Sequence, residues 1–316
     1  MPSDAQPDSR FVEVDRAQPQ YDIPLSVSAA ELINAHLPPR ELLVDPILPV
    51  KGLAMLYGPR GLGKTHVALG IAWAAASGGQ FLKWQAPEPR RVLYVDGEMP
   101  AADMQERLRL IGSAPATLRF LLADMQDDPM PDLGLAEGQE RLERSWDQPP
   151  DLLVIDNLSS LASAARDNDA ESWSVMQAWL LKLRRMGVSV LLVHHAGKGG
   201  QQRGTSRRED VLDMVLALRR PSNYEPKDGA RFEVHMEKAR GVFGDATEPF
   251  EAKLETNLGG NTAWTWTPVK DAEFERAVDL FNDGVSAADA AEALGVSRAT
   301  AFRMKKRALN EGLLKE

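Results

Sequence analysis

The string Gly58-Pro59-Arg60-Gly61-Leu62-Gly63-Lys64-Thr65 follows directly on an apolar run, Leu53-Ala54-Met55-Leu56-Tyr57. It leads straight into Ala68-Leu69-Gly70-Ile71-Ala72, which reads as a helix. A strand, a glycine-rich turn and a helix in that order constrain the fold to a βα unit with a phosphate-binding turn. The glycines let backbone N–H groups converge on a polyphosphate without Cβ clashes, and the helix N-terminus adds its positive dipole end. At this spacing Lys64 is expected to reach the β- and γ-phosphates, and Thr65 to place its hydroxyl on Mg²⁺. The residues Gly58, Pro59, Arg60, Gly61, Leu62, Gly63, Lys64, Thr65 and His66 therefore form the expected binding segment for a nucleoside triphosphate.

Composition narrows the remaining choices. A chain of 316 residues accommodates one large α/β domain and a small appendage. No apolar run is long enough to span a bilayer, and the N-terminus is polar and proline-containing, unlike a signal peptide. With no cysteine there are no disulfides or thiolate metal sites, which fits a cytoplasmic location. The formal charge of −9 excludes a wholly basic coat, so any nucleic-acid contact has to come from local basic patches.

Residues 1–25, rich in Pro, Asp, Gln and Ser, read as a flexible N-terminal tail. A short helix is expected at 28–33, stopped by Pro38-Pro39. From there to 268, strand candidates fall at 53–57, 92–95, 118–122, 152–155, 188–193, 213–218, 231–236 and 263–267. Helix candidates fall at 64–77, 100–111, 135–146 and 170–186. Alternating strands and helices predict an α/β fold with a mainly parallel sheet, and the late strand-only stretch predicts antiparallel edge strands. Past Pro268 the pattern turns alanine-rich and helical, placing a small all-α domain at 270–316 after a domain at 26–268.

Phosphoryl transfer needs a metal-orienting acid and a group that positions water. The strand Leu152-Leu153-Val154-Ile155 ends in Asp156, the expected acid for Mg²⁺. Asn157 follows it, so the water-activating carboxylate comes from another strand, Val92-Leu93-Tyr94-Val95-Asp96-Gly97-Glu98. Glu98 is the candidate and Asp96 its rival, one of them being free to cap the helix that follows. The run Val188–Val193 ends in His194-His195, one of which would sense the γ-phosphate.

The order of 58–65, Glu98, Asp156 and His194-His195 resembles the RecA-like ATPases. The match is most specific at His194-His195-Ala196-Gly197-Lys198-Gly199 with Gln202-Arg203-Gly204-Thr205-Ser206, where it resembles the RepA-type hexameric replicative helicases of plasmids and their AAA-labelled mobile-element relatives. The resemblance implies a RecA-like core that hydrolyses ATP with Mg²⁺ in a ring, expected to be a hexamer. Each nucleotide would sit between two subunits and be completed by a cation from the neighbour. Met236-Glu237-Lys238-Ala239-Arg240-Gly241 resembles the element supplying it, with Arg240 as the finger and Lys238 as its companion. It also implies that the loop carrying Lys198, Arg203, Arg207 and Arg208 lines a central channel and holds single-stranded DNA by its backbone. The segment Arg166-Asp167-Asn168-Asp169 is a weaker second channel loop.

At the C-terminus, helices at 272–282, 286–294 and 298–310, with a Gly295-Val296-Ser297 turn, match helix-turn-helix patterning. The unit resembles those of bacterial regulators and resolvases. Arg298, Thr300 and Arg303 would open the recognition helix, and Lys305 and Lys306 would reach phosphates of duplex DNA. A DNA-binding regulator controlled by ATP is the alternative reading. A small-molecule kinase would need an acceptor pocket and lid that nothing in the sequence marks.

Overall fold

The computed structural model describes residues 26–163, 170–196, 210–221, 223–256 and 262–314. The chain divides into two compact units, residues 1–39 and 40–316. In the first, Ser28 and Glu31 form a reciprocal capping box on α1 (Ala29–Asn34).

The second unit is built on a nine-stranded sheet among the described residues. Five strands are parallel to one another: β3 (Leu53–Gly58), β6 (Val92–Asp96), β7 (Leu118–Leu122), β8 (Leu152–Asp156) and β9 (Ser189–His195). The strand β10 (Met214–Arg219) continues the parallel set beside β3. Antiparallel strands β11 (Arg231–Ala239), β12 (Phe250–Thr256) and β13 (Thr262–Pro268) then extend the sheet. The order is β13-β12-β11-β10-β3-β9-β8-β6-β7. Short hairpins β1 (Leu42–Val44) with β2 (Leu48–Pro49) and β4 (Gln80–Phe81) with β5 (Trp84–Gln85) lie outside it.

Every residue of β3 and β8 is buried, as expected of parallel strands covered on both faces. One face packs on α2 (Lys64–Ser77) through Ala54, Leu56, Tyr94, Val154 and Val193. The other packs on α6 (Ala170–Arg185) through Met55, Val95, Ile155, Leu192 and Trp179. The helix α3 (Ala101–Ile111) follows β6.

Several elements differ from the sequence pattern, among them β12 and the short strands β1, β2, β4 and β5, where no strand was expected. The strand expected at 188–193 runs on to His195, because its pairing with β3 continues through Tyr57 with His194 and Gly58 with His195. The helix expected at 135–146 is only α4 (Ala136–Glu143), with Ser145 folding back onto the Leu142 carbonyl. A one-turn helix, α5 (Leu158–Leu161), is nucleated by the Asn157 side chain accepting the Ser159 and Ser160 N–H groups.

At the C-terminus, α7 (Val269–Asn282), α8 (Ala287–Leu294) and α9 (Arg298–Asn310) enclose their own small core of Phe274, Ala277, Phe281, Ala290, Leu294 and Ala308. Gly295 at φ +67 ends α8 in the left-handed region, and Ser297 caps α9. No helix among the described residues is long and apolar enough to cross a membrane.

Candidate active site

Side chains alternate between the two faces of a strand, so parity decides which tip residues share a site. On the α2 face the sequence runs Val92, Tyr94, Asp96 along β6 and Leu152, Val154, Asp156 along β8. Along β9 the same face shows Leu191, Val193 and then His195. Asp96, Asp156 and His195 therefore emerge together at the carboxyl edge of the sheet, beside the turn that enters α2. All three line one cavity of about 570 Å³ with Arg60, Lys64, Thr65 and Glu98. His194 has the other parity and is 5% exposed.

The turn itself has the geometry its glycines permit. Gly61 lies at φ +69 and Gly63 at φ +104, where L side chains rarely go. A Cβ on Gly63 would also stand 3.0 Å from the Phe232 ring. Lys64 is buried, and its ammonium donates to the carbonyls of Gly58 at 3.0 Å and Pro59 at 2.8 Å. Burial lowers its pKa to about 8, partly offset by the nearby Asp156 and Glu98 carboxylates.

Asp156 is 5% exposed and lines the cavity beside the glycine-rich turn. It accepts the Tyr94 hydroxyl at 2.7 Å and pairs with the Thr65 hydroxyl. Burial raises its pKa above the usual carboxylate range. The Thr65 and Asp156 oxygens converge beside the phosphate turn, an all-oxygen donor set that suits a hard cation such as Mg²⁺ completed by phosphates.

Asp96 and Glu98 take different positions. Asp96 is 2% exposed, and its Oδ1 accepts the N–H groups of Glu98 at 2.8 Å and Met99 at 2.7 Å. It ties down the turn before α3, and burial pushes its pKa up to about 6. Glu98 is exposed to the cavity; Asn157 donates to its Oε2 at 2.5 Å, and His195 Nε2 stands 3.8 Å from the same oxygen. Burial first, then the Lys64 charge, lower the His195 pKa, leaving a neutral imidazole at pH 7. His66 also lines the cavity; burial holds it at about 4.

Arg240 and Lys238 lie at the opposite end of the sheet. Ala239 pairs with Met214, which pairs with Ala54 at the start of β3. That level is four residues before the phosphate turn, about 13 Å along the strands. Arg240 is exposed; its Nη2 donates to the Asp210 carbonyl at 2.7 Å and its N–H to the Asp213 carbonyl at 2.9 Å. It borders a second cavity of about 400 Å³ together with Asp213 and Phe243. A register shift near Glu237 precedes Lys238.

Lys198, Arg203, Arg207, Arg208 and the segment 166–169 lie outside the described residues. In the C-terminal unit Arg298, Arg303 and Lys306 are exposed on α9. Thr300 donates its N–H to the capping Ser297, and Arg303 Nη2 donates to its hydroxyl at 3.2 Å. Lys305 sits over the Phe281 ring at 5.4 Å, half-buried, and Arg307 stacks on Phe274 at 3.9 Å. These contacts tie the basic side of α9 to α7.

The model of an AAA domain matches residues 18–201, more than half of the chain. The chain belongs to the AAA domain family. A homeodomain-like domain matches residues 275–314, the three-helix unit. The DNA repair protein RadA of Brucella abortus (strain 2308) is 27% identical over 172 residues, which cover 53% of this chain. The chain spans about a third, 33%, of that relative's length. A KaiC-like protein from Pyrococcus horikoshii OT3 superimposes with a TM-score of 0.49 at 18% identity, over 72% of this chain and 94% of that one. The chain thus joins an AAA domain to a homeodomain-like helical unit.

Several residues of the site are missing from the sequence reading. Tyr94 could have been found by its parity with Asp96. Asn157 could have been found as the polar residue that follows Asp156 at the strand end. Arg107 and Asp103 on α3, and Gly229 with Ala230 before β11, also line the cavity, but no spacing in the sequence brings them there.

Proposed function

We propose that this chain is a Mg²⁺-dependent ATPase that assembles as a hexameric ring and acts on DNA as a helicase or translocase of a mobile element. One observation carries the ATPase part. Lys64, Thr65, Asp156, Glu98 and His195 come from four separate elements and converge on one cavity. A glycine-rich turn alone would not bring a hydrolytic set with it.

Lys64 and the backbone N–H groups of the turn bind and orient the β- and γ-phosphates. Thr65 and Asp156 would hold Mg²⁺, which neutralises phosphate charge when bound. Glu98, aimed by Asn157, orients the attacking water and accepts its proton. His195 stands beside Glu98 and precedes Ala196 in the chain, and it would report the state of the γ-phosphate to the residues that follow. Arg240 lies at a level about 13 Å along the strands from its own phosphate turn, so it would act on the site of an adjacent copy, where a guanidinium spreads two hydrogen bonds over phosphate oxygens. The family likeness, the RadA relative and the exposed arginines of α9 support DNA as the partner. The His194-His195 strand end and the glycine-rich basic stretch after it support the RepA-type resemblance.

A second reading, an ATP-controlled DNA-binding regulator, is favoured by the helical unit being joined to the sheet edge with no linker. ATPase rates with no DNA, with single strands and with duplex, alongside particle size in a non-hydrolysable nucleotide, separate the two. A motor is stimulated by single strands and sediments as a hexamer. A regulator turns over slowly whatever strand is present and holds duplex tightly.

A further inference from the structure

A chain of ion pairs connects the nucleotide cavity to the helical unit. At the cavity end, Gly229 and Ala230 form part of the wall. The loop that presents them is held on both sides: Tyr224 donates its hydroxyl to the Gly229 carbonyl at 3.2 Å, and Asp228 Oδ2 accepts the Glu225 N–H at 3.0 Å. Asp228 also pairs with Arg231 at 2.9 Å. Arg231 pairs with Glu251 of β12 at 2.7 Å, and Glu251 pairs with Arg276 of α7 at 2.7 Å. The four side chains are only 12% to 18% exposed. In such surroundings removing one partner leaves the other buried and unmatched, so the groups respond as a set. Glu251 is shared, so a shift of either guanidinium changes the position of the other.

The far end of this chain is rigid as well. The strand β13 pairs with β12 along its length, as far as Pro268 with Phe250, and α7 begins at the next residue. Lys270 adds a second tie, to Glu248 at 2.7 Å. The opposite face of α7 carries Phe274 and Phe281, which hold α9 through the Arg307 and Lys305 contacts. An unbroken series of packed and paired groups thus leads from α9 to the cavity wall.

We propose that Arg276 is a positioning residue for the nucleotide site, and that through Glu251, Arg231 and Asp228 it couples duplex DNA on α9 to nucleotide at the phosphate turn. The inference rests on the nucleotide and duplex readings given above. Such coupling is reciprocal: each ligand changes the affinity of the other by the same factor. A loop wall held by fixed ion pairs transmits a displacement, whereas a flexible tether between the units would absorb it.

The test titrates full-length protein with Mg²⁺ and a fluorescent ATP analogue, with and without a labelled mixed-sequence 40-bp duplex at low salt. The reverse titration is run as well. The expected ratio of nucleotide affinities is roughly fivefold or more, equal in both directions. In Arg276→Gln the ratio falls to about one, and Arg276→Lys, which keeps the charge on Glu251, restores part of it. A merely structural arginine would lower the melting temperature in Arg276→Gln and leave the ratio unchanged, which overturns the proposal. A wild-type ratio of one, with both ligands bound singly, overturns it while sparing the two site readings. Failure of either ligand to bind alone overturns the site reading and the coupling together.

Discussion

The two halves of the sheet are built by different rules. On the side of β9, β8, β6 and β7 the strands are parallel and mostly apolar, and they meet the solvent at one carboxyl edge. On the side of β11, β12 and β13 they are antiparallel, with half-buried and buried residues alternating as Arg231, Phe232, Glu233, Val234 and His235 do. In the first half, polar groups sit at strand tips, where several runs of apolar residues end on one such group each. In the second, charged side chains lie along the strands, matched across neighbours. A parallel sheet concentrates chemistry at an edge, and an antiparallel one distributes it over a face.

Carboxylates break that comparison most sharply. Glu98→Gln keeps an acceptor for Asn157 but cannot take a proton, and ATP turnover is expected to fall about 10²–10⁴-fold while nucleotide stays bound. Glu251→Gln in the other half should leave turnover without DNA within a few-fold of wild type. Steady-state hydrolysis beside analogue binding checks both. If the two losses were similar, the edge would hold no special chemistry.

The phosphate turn sharpens the comparison through pH. Lys64 has its pKa lowered to about 8 by burial, so the site of the free protein loses the ammonium as pH rises through that value. Phosphate binding needs the charged form and must then take up a proton. Analogue affinity is therefore expected to hold between pH 7 and 8 and to fall, at most about tenfold per pH unit, above it. Affinity that rises with pH would place the phosphate elsewhere.

A smaller effect concerns stability. Tyr94 is fully buried, and its hydroxyl reaches Asp156 at 2.7 Å. Tyr94→Phe leaves a buried acceptor short of a donor and should cost about 1–3 kcal/mol, seen as a lowered melting temperature. Smallest is Lys306→Ala on exposed α9. It should weaken duplex binding uniformly across sequences and reduce the salt slope of the binding constant by about one.

Much of the parallel half was legible in the sequence because its information is local. The glycine turn, the apolar runs and the acids that end them stand side by side in the chain, and strand parity settles the face on which each residue emerges. Parity also separates His194 from His195: of the two, the second lines the cavity. The place of Asp96, turned onto the backbone of Glu98 and Met99, was a matter of side-chain rotation that no spacing encodes. Of the antiparallel half, β11 and β13 were legible, and only as strands, while β12 was not. That Arg231, Glu251 and Arg276 meet depends on pairing register between distant segments and on the angle at which α7 leaves β13. The approach of Gly229 and Ala230 to the phosphate turn has the same origin.

The claim on which the ring motor stands is that Lys64 and Arg240 of different copies act on one nucleotide. Mixing Lys64→Ala with Arg240→Ala protein, each inactive alone, measures it directly. In rings assembled at random from equal amounts, about a quarter of the seams carry both side chains, and about a quarter of wild-type ATP hydrolysis should return. If the mixture stays inactive, or if Arg240→Ala alone hydrolyses ATP at the wild-type rate, the nucleotide is not shared between copies.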